Sequence, residues 1–125
     1  VDELEVENKI LQLVNEERAR NGVAPLTERS NLKSMAVEHS RRMLSENFFE
    51  HSSHNVGENI GQTPRHYAVV GCGSVYTENQ IANCLVTGWI GSPGHHMNMI
   101  DPSYSGTGIG VSCDLTECVA TQTFL

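Results

Sequence analysis

The sequence contains no long apolar run. A membrane-spanning helix needs roughly 20 consecutive apolar residues, and the longest apolar stretches here, such as residues 67–70, are expected to form core strands instead. A basic region followed by an apolar stretch is also absent from the start of the chain, which begins at Val1. We therefore expect no transmembrane segment, and we interpret the chain as a mature form whose leader has been removed.

Positive charge is scarce. The 125 residues include 8 Lys and Arg against 15 Asp and Glu, so the formal net charge is −7. This balance argues against non-specific attraction to nucleic acid or to an anionic membrane surface. Internal repeats and low-complexity linkers are absent as well. We predict a single domain over residues 1–125, long enough to bury roughly two-thirds of its unfolded surface.

Cysteine pairs of the CxxC type are missing, which argues against a zinc knuckle or a redox motif. The chain has four cysteines, and an even number in a small domain is compatible with two disulfides in three connectivities. Cys113 and Cys118 flank "DLTE", a predicted hairpin loop that brings them within bridging distance, so Cys72–Cys84 is the second bridge. The alternative is four reduced thiols in a cytosolic protein. We favour disulfides and export.

Four helices are predicted from capping residues and apolar periodicity. The first spans 3–20, with Asp2 and Glu5 as a capping box and Asn21-Gly22 at its end. The others span 30–47, 78–90 and 93–99. Their expected N-caps include Ser30 for the second helix and Ser92, followed by Pro93, for the fourth. The apolar faces comprise Leu4, Ile10, Leu11 and Val14 in the first helix, Leu32, Met35, Ala36, His39 and Met43 in the second, and Ile81, Leu85 and Trp89 in the third.

Strands are predicted mainly at the end of the chain. Residues 106–113 and 118–125 alternate in polarity around the "DLTE" turn and predict a hairpin. Residues 50–76 lack helical periodicity and are expected to form loops with short strands. Because helices come first and the clearest strand pair comes last, the fold class is α+β, with helices covering a small antiparallel sheet.

His51, Glu58 and His95 are the candidate site residues. Two histidines and one glutamate form a known catalytic zinc arrangement when they converge. Their spacing does not establish convergence, and scattered surface polar groups are the alternative. Motifs of other chemistry are absent: there is no G-x-S-x-G elbow, no phosphate loop and no nucleic-acid patch.

Seven blocks of sequence, in order, resemble the CAP superfamily (cysteine-rich secretory proteins, antigen 5 and pathogenesis-related 1), and specifically its prokaryotic SCP-domain branch. They are "LVNEERARNGVAPL" (13–26), "LKSMAVEHSRRM" (32–43), "NFFEHSS" (47–53), "VGENIG" (56–61), "GWIGSPGHHMNMI" (88–100), "GTGIGV" (106–111) and "TQTF" (121–124). The resemblance implies a three-layer α-β-α sandwich with a small, mainly antiparallel sheet. It also implies an extracellular or cell-envelope location and a central cavity that often binds a divalent metal, commonly zinc.

The resemblance assigns cavity roles residue by residue. His51 matches the first cavity histidine, Glu58 the glutamate of the GEN motif, and His95 the histidine of the prokaryotic pattern. Two positions depart from the eukaryotic members. Ser92 lies where they have a second glutamate, three residues after the tryptophan, and Val119 lies where they have a second histidine.

Three functions follow as hypotheses. The first is an extracellular protein that binds a divalent metal through His51 and His95, and with it a small, lipid-like ligand or an extracellular partner, with Glu58 and Ser92 in the cavity. The second is a metal-dependent hydrolase in which Glu58 is the catalytic general base toward a zinc-bound water. The third is a disulfide-linked envelope protein that acts through its surface loops. We favour binding.

Each site residue also has a purely structural interpretation. His51 and Glu58 could serve only to fix their loop, and His95 could serve only to cap a helix. Ser92 is explained by its position as an N-cap. Other histidines are expected outside the site, with His54 and His96 facing solvent and His39 in or near the core.

Overall fold

The computed structural model describes residues 1–125 and contains four helices and six strands. The helices are α1 (Glu3–Arg20), α2 (Ser30–Ser45), α3 (Glu78–Ile90) and α4 (Pro93–Ile100). The strands are β1 (Thr27–Glu28), β2 (Gly57–Pro64), β3 (Ala68–Val69), β4 (Gly73–Ser74), β5 (Gly106–Cys113) and β6 (Glu117–Phe124). The main sheet has the order β1-β5-β6-β2, and β3 pairs with β4 separately. Only β1 and β5 are parallel.

Helices cover both faces of the main sheet. On one face α2 packs on β5 and β6, and on the other α1 packs on β5 and on α3. Gly108 and Gly110 of β5 allow the close approach of α2, because a Cβ at either position would overlap the backbone of the helix. Ile109 and Val111 belong to the main core, with α1 and α3. The predicted α-β-α sandwich with a small, mainly antiparallel sheet is confirmed.

The first helix has the predicted bounds but a different buried face. Asp2 accepts a hydrogen bond from the Glu5 N–H at 3.2 Å, as an N-cap should. The reciprocal half of the capping box is absent, because the Asp2 N–H donates to Glu78 Oε2 at 2.9 Å. Val6, fully buried, takes the core position predicted for Leu4, which is exposed. The prediction for Leu4 was therefore wrong.

The second helix begins at Ser30 itself, so Ser30 is not its cap. Arg29 is the N-cap and makes no side-chain capping bond, and the helix ends at Ser45, two residues before the predicted end. The third helix has the predicted bounds, and Thr77 and Gln80 form a capping box that the sequence prediction missed.

β2 is the longest segment whose conformation differs from the sequence prediction. The segment "GENIGQTP" was expected to be mostly loop, but it is an eight-residue strand paired with β6 from Gly57↔Phe124 to Pro64↔Glu117. Its glycines and polar residues have low strand propensity. The long-range pairing with β6 therefore accounts for its conformation.

Two disulfides link Cys72 to Cys84 and Cys113 to Cys118, and no cysteine is free. This is the predicted pairing. The first bridge joins the β3–β4 hairpin to α3, and the second closes the β5–β6 hairpin. None of the four helices combines the length and the apolar character that crossing a bilayer requires.

Replacing Gly110 by alanine should destabilise the protein, because the added methyl group overlaps the α2 backbone at Val37. We expect a loss of about 1–3 kcal/mol in the free energy of unfolding, as for overpacked cores. Gly88→Ala is the control. An added Cβ at this exposed α3 position meets nothing within 4 Å, so the variant should gain about 0.5–1 kcal/mol. Urea unfolding followed by circular dichroism measures both. A Gly110→Ala variant as stable as the wild type would contradict the close packing of α2 on β5.

Candidate functional site

The candidate residues line one cavity of about 320 Å³. His51 lies in the loop between α2 and β2, Glu58 is the second residue of β2, and His95 lies in the first turn of α4. The cavity is also lined by Asn59, Ser92, Gly94 and Asn98. Folding therefore brings His51 and Glu58 together with His95, which is 37 residues beyond Glu58 in the sequence.

Glu58 is the most completely hydrogen-bonded group of the cavity. Its Oε1 accepts from His51 Nδ1 at 2.8 Å and from the Ser52 N–H at 2.9 Å, and its Oε2 accepts from the Ser52 hydroxyl. Its side chain is 6% exposed, whereas that of His51 is 62% exposed. Glu58 thus fixes one ring nitrogen of His51 and leaves the other, Nε2, without a partner within the protein.

Glu58 is ionised at neutral pH. Burial raises the pKa of this carboxyl, but the hydrogen bonds from the Ser52 hydroxyl, the Ser52 N–H and the His51 ring outweigh burial. The pKa of Glu58 therefore lies below its ordinary value of 4.5. A carboxylate whose two oxygens already accept three hydrogen bonds is a weak proton acceptor. Its geometry favours orienting His51 over taking a proton from a reacting water.

Two asparagines position the start of α4 beside β2. Asn59, fully buried, donates to the His95 carbonyl at 3.0 Å. Asn98 donates to Asn59 Oδ1 at 3.0 Å and to the Glu58 carbonyl at 3.3 Å. Asn59, a residue of β2, thus ties this strand directly to the backbone of α4.

The end of α4 is anchored by Arg18 of α1, which is 1% exposed. Its guanidinium donates to the carbonyls of Met99 at 2.8 Å and Asp101 at 3.1 Å. It also donates to the carbonyls of Tyr104 at 3.0 Å and Ala24 at 2.7 Å. Because the last carbonyls of a helix have no partner within it, Arg18 supplies the missing donors and fixes α4 relative to α1.

Ser92 does not play the capping role that its position suggests. It is the N-cap residue of α4, but its side chain makes no capping bond. Its Oγ lies 2.8 Å from His95 Nδ1 instead. The interpretation of Ser92 as a simple N-cap was therefore wrong, since the hydroxyl orients a cavity histidine.

His95 is half-buried and neutral at neutral pH. Burial lowers the pKa of its imidazole, and the nearby His51 ring lowers it further by charge repulsion. With Nδ1 engaged by Ser92, His95 Nε2 has no partner within the protein. A neutral imidazole with a free nitrogen can bind a metal or accept a hydrogen bond.

The other histidines whose surroundings we predicted from the sequence lie outside the cavity. His39 is 5% exposed, and its Nε2 lies 2.6 Å from the Glu50 carbonyl oxygen, so the prediction of a core histidine is confirmed. His54 is exposed, as expected. His96 was expected to face solvent, but it is half-buried and its Nε2 lies 2.7 Å from Glu17 Oε2. That prediction was wrong, because α1 packs against α4 and offers a carboxylate.

A complete metal-ligand set is not assembled. No three His, Cys, Asp or Glu side chains are arranged to bind a metal ion. Val119, which takes the place of the second histidine in the eukaryotic members, packs in a small core with Met43 and Ile60. The cavity therefore offers two imidazoles, while the oxygens of Glu58 are committed to His51 and Ser52.

The sequence profile of the cysteine-rich secretory protein (CAP) family matches residues 11–124. The chain belongs to the CAP family. The Bacillus subtilis (strain 168) protein YkwD, a relative without a described function, is 27% identical over 107 residues, which are 83% of this chain and 41% of YkwD. The chain thus spans about two-fifths of the length of that relative.

Solved structures of other proteins share the fold. An extracellular protein containing an SCP domain from Bacillus anthracis (strain Ames) has a TM-score of 0.71 at 22% identity, covering 98% of this chain and 41% of that one. NaASP2, whose structure was determined with Zn²⁺, has a TM-score of 0.74 at 14% identity, covering 96% of this chain and 78% of that one. At these identities the likeness shows the fold alone.

Replacing Glu58 by glutamine should destabilise the fold at neutral pH, because an amide leaves at least one of the three donors without an acceptor. We expect a loss of about 1–3 kcal/mol at pH 7. Since the folded-state pKa of Glu58 is below 4.5, its ionisation stabilises the protein above pH 4.5, and this contribution is lost as the pH falls below that value. The difference between Glu58→Gln and wild type should therefore shrink in acid.

Denaturant unfolding of both proteins at several pH values between 7 and 3 measures this difference. Glu46→Gln is the matched control, because Glu46 is exposed and its ion pair with Arg42 lies at the surface. It should change stability little. A Glu58→Gln difference that stays constant across the pH range would contradict the role assigned to the ionised carboxylate.

Proposed function

We propose that this CAP domain is an exported binding protein whose cavity binds a divalent metal, zinc in particular, through His51 and His95. The observation that carries the proposal is that both rings line one cavity, each with Nδ1 engaged and Nε2 free. Export is supported by the two disulfides, which form and persist in oxidising compartments. The fold likeness to the extracellular B. anthracis protein supports it as well.

The contacts behind the two rings support metal binding. Histidines that ligate metals commonly donate their other ring N–H to a carboxylate or another oxygen, which fixes the tautomer and makes the free nitrogen a better ligand. Glu58 does this for His51, and Ser92 is the corresponding partner of His95. NaASP2, which has the same fold, was determined with Zn²⁺.

Two protein ligands make an open site. Structural zinc sites have four protein ligands and catalytic sites usually have three, whereas this cavity offers two imidazoles. Water or a ligand must complete the coordination. We therefore expect exchangeable metal binding that recruits a small ligand, because an oxygen atom of that ligand can occupy a vacant coordination position.

The hydrolase hypothesis receives less support. It requires Glu58 as general base, but this carboxylate is 6% exposed and already accepts three hydrogen bonds. Glu58 is better suited to orient His51. The chemistry that the metal supplies when bound is an electrophilic centre for an oxygen ligand. We favour binding over catalysis for this reason.

Zinc titration tests the proposed site. The wild type should bind one zinc ion, and the His51→Ala/His95→Ala double variant should lose this stoichiometric binding. His54→Ala is the matched control, because His54 is an exposed histidine of the same loop that does not line the cavity. Isothermal titration calorimetry and elemental analysis after dialysis measure the stoichiometry. A double variant that retains one zinc ion would contradict the ligand assignment.

A panel of peptide and ester substrates separates binding from hydrolysis. We expect no zinc-dependent turnover by the wild type above the rate of the His51→Ala/His95→Ala variant, because the cavity lacks an available carboxylate base. Liquid chromatography of the reaction mixtures measures the products. Turnover that disappears in Glu58→Gln while zinc is still bound would support the hydrolase instead.

A further inference from the structure

A cluster of exposed apolar side chains lies at the opposite end of β2 from the histidine cavity. Glu58, at the start of β2, lines the cavity, and the cluster begins just after the end of this eight-residue strand. At about 3.3 Å per strand residue, the two ends of β2 are roughly 23 Å apart. The cluster, which we call the hairpin end, comprises Tyr67 (62% exposed), Val70 (102%), Tyr76 (53%) and Leu115 (84%). It is therefore separate from the proposed metal site.

Two hairpins carry these side chains, and a disulfide constrains each hairpin. Val70 lies in the turn between β3 and β4, with Tyr67 just before β3 and Tyr76 just after β4. One disulfide anchors this turn to α3. Leu115 lies in the turn between β5 and β6, which the other disulfide closes. Both disulfides thus rigidify the hairpin end, and a rigid surface loses little conformational entropy when a partner binds.

Arg65 joins the two hairpins. Its N–H donates to the Thr116 carbonyl at 2.9 Å, and its guanidinium donates to the Asp114 carbonyl. Asp114 and Thr116 flank Leu115, so the Leu115 turn is fixed beside the segment that leads into β3. The exposed apolar side chains therefore adjoin one another. Single apolar residues scattered over a surface are ordinary, whereas a contiguous apolar patch marks an interaction site.

His66 has an unfavourable backbone conformation within this surface. Its φ is 67°, in the left-handed region that favours glycine. Its N–H donates to the Val75 carbonyl, and the Val75 N–H donates to the Tyr67 carbonyl, both at 2.9 Å. His66 and Tyr67 thus oppose a single residue, in a bulge whose left-handed position is usually glycine. The His66 ring packs edge-on against Tyr76 with 5.6 Å between ring centroids, a contact that glycine could not make.

Acidic side chains border the hairpin end. The first residues of α1 and α3 lie here, because the Asp2 N–H donates to Glu78 and the Cys113 N–H donates to Glu3. Five carboxylates stand against the single guanidinium of Arg65, namely those of Asp2, Glu3, Glu78, Asp114 and Glu117. Like charges repel, so this border disfavours an anionic membrane surface. It equally disfavours a second copy of this chain, which carries the same acidic border.

A carbohydrate ligand is also disfavoured. Val70 and Leu115 offer no hydrogen-bond partner to sugar hydroxyl groups, and burying such groups without partners is costly. Tyrosine, in contrast, is one of the residue types that contribute most to the binding energy of protein interfaces. Tyr67 and Tyr76 are therefore suited to anchor a protein partner.

We propose that the hairpin end is a docking surface for a protein partner whose contact surface has an apolar centre and a border of Lys and Arg. Tyr67, Tyr76, Val70 and Leu115 contact the apolar centre, and the acidic border attracts the basic one. This role goes beyond the proposed function, because no residue of the hairpin end lines the histidine cavity.

Three peptides of equal length and repeat pattern test the proposal: one of Leu and Lys, one of Leu and Glu, and one of Ser and Lys. Isothermal titration calorimetry measures their binding to the protein. We expect the Leu/Lys peptide to bind at least about tenfold more tightly than the Ser/Lys peptide, because apolar area is buried. The Leu/Glu peptide should not bind. Added salt should weaken binding of the Leu/Lys peptide, because it screens surface charges.

Variants locate the binding surface. Tyr67→Ser/Tyr76→Ser should bind the Leu/Lys peptide at least about tenfold more weakly. Val70→Ser is a second variant that leaves the core intact, because Val70 is fully exposed, and it should also bind more weakly. Phe49→Ser/Met97→Ser is the matched control, because these exposed side chains lie outside the hairpin end, and it should bind like the wild type. Circular dichroism verifies the folding of all three.

The metal site and the docking surface give separate results. His51→Ala/His95→Ala should bind the Leu/Lys peptide like the wild type, with or without zinc. No binding of this peptide, equal binding of the Ser/Lys peptide, or wild-type affinity in both Tyr67→Ser/Tyr76→Ser and Val70→Ser overturns the docking surface and leaves the zinc stoichiometry unaffected.

The remaining occupants are tested on the same variants. Binding of a chitin oligosaccharide or of phosphatidylglycerol vesicles that is tighter than that of the Leu/Lys peptide, and is lost in Tyr67→Ser/Tyr76→Ser, overturns the protein partner in favour of a glycan or a membrane. Analytical ultracentrifugation measures self-association. A wild-type dimer that dissociates in Tyr67→Ser/Tyr76→Ser overturns it in favour of a second copy of this chain.

Discussion

The buried guanidinium of Arg18 determines where α4 lies, and the candidate site depends on α4. A helix of eight residues is too short to be stable in isolation, so its position must come from tertiary contacts. A buried charge is costly unless its donors are satisfied, and Arg18 satisfies them on four carbonyls, two of them at the end of α4. Asn59 holds the other end to β2. His95 is therefore positioned by contacts made at both ends of its helix.

Glu58 is a second buried charge whose cost is offset by hydrogen bonds. A buried carboxylate is tolerated because three donors surround it, and one of these donors is the His51 ring. Each cavity histidine thus has its orientation set by a neighbouring oxygen before any ligand binds. Preorganised groups lose little entropy on binding.

Structural elements that depend on local sequence pattern were predicted correctly, whereas elements and side-chain roles that depend on contacts between distant residues were missed. The bounds of α1 and α3, the β5–β6 hairpin and both disulfides follow from caps, periodicity and spacing. β2 was missed because "GENIGQTP" is extended by pairing with β6. His51, Glu58 and His95 were candidates from their residue types alone, and the family resemblance predicted that they converge in one cavity. The roles of Ser52, Asn98 and the Ser92 hydroxyl were not predictable, because each depends on which elements meet in space.

The Cys72–Cys84 bridge makes the attachment of the β3–β4 hairpin depend on the redox state of the surroundings. Cys84 belongs to α3, and its partner Cys72 belongs to the β3–β4 hairpin. The histidine cavity depends on Arg18, Asn59 and Glu58, and none of these contacts involves sulfur. In a thiol-rich compartment such as the cytosol, reduction would release the hairpin from α3 and leave the imidazoles in place.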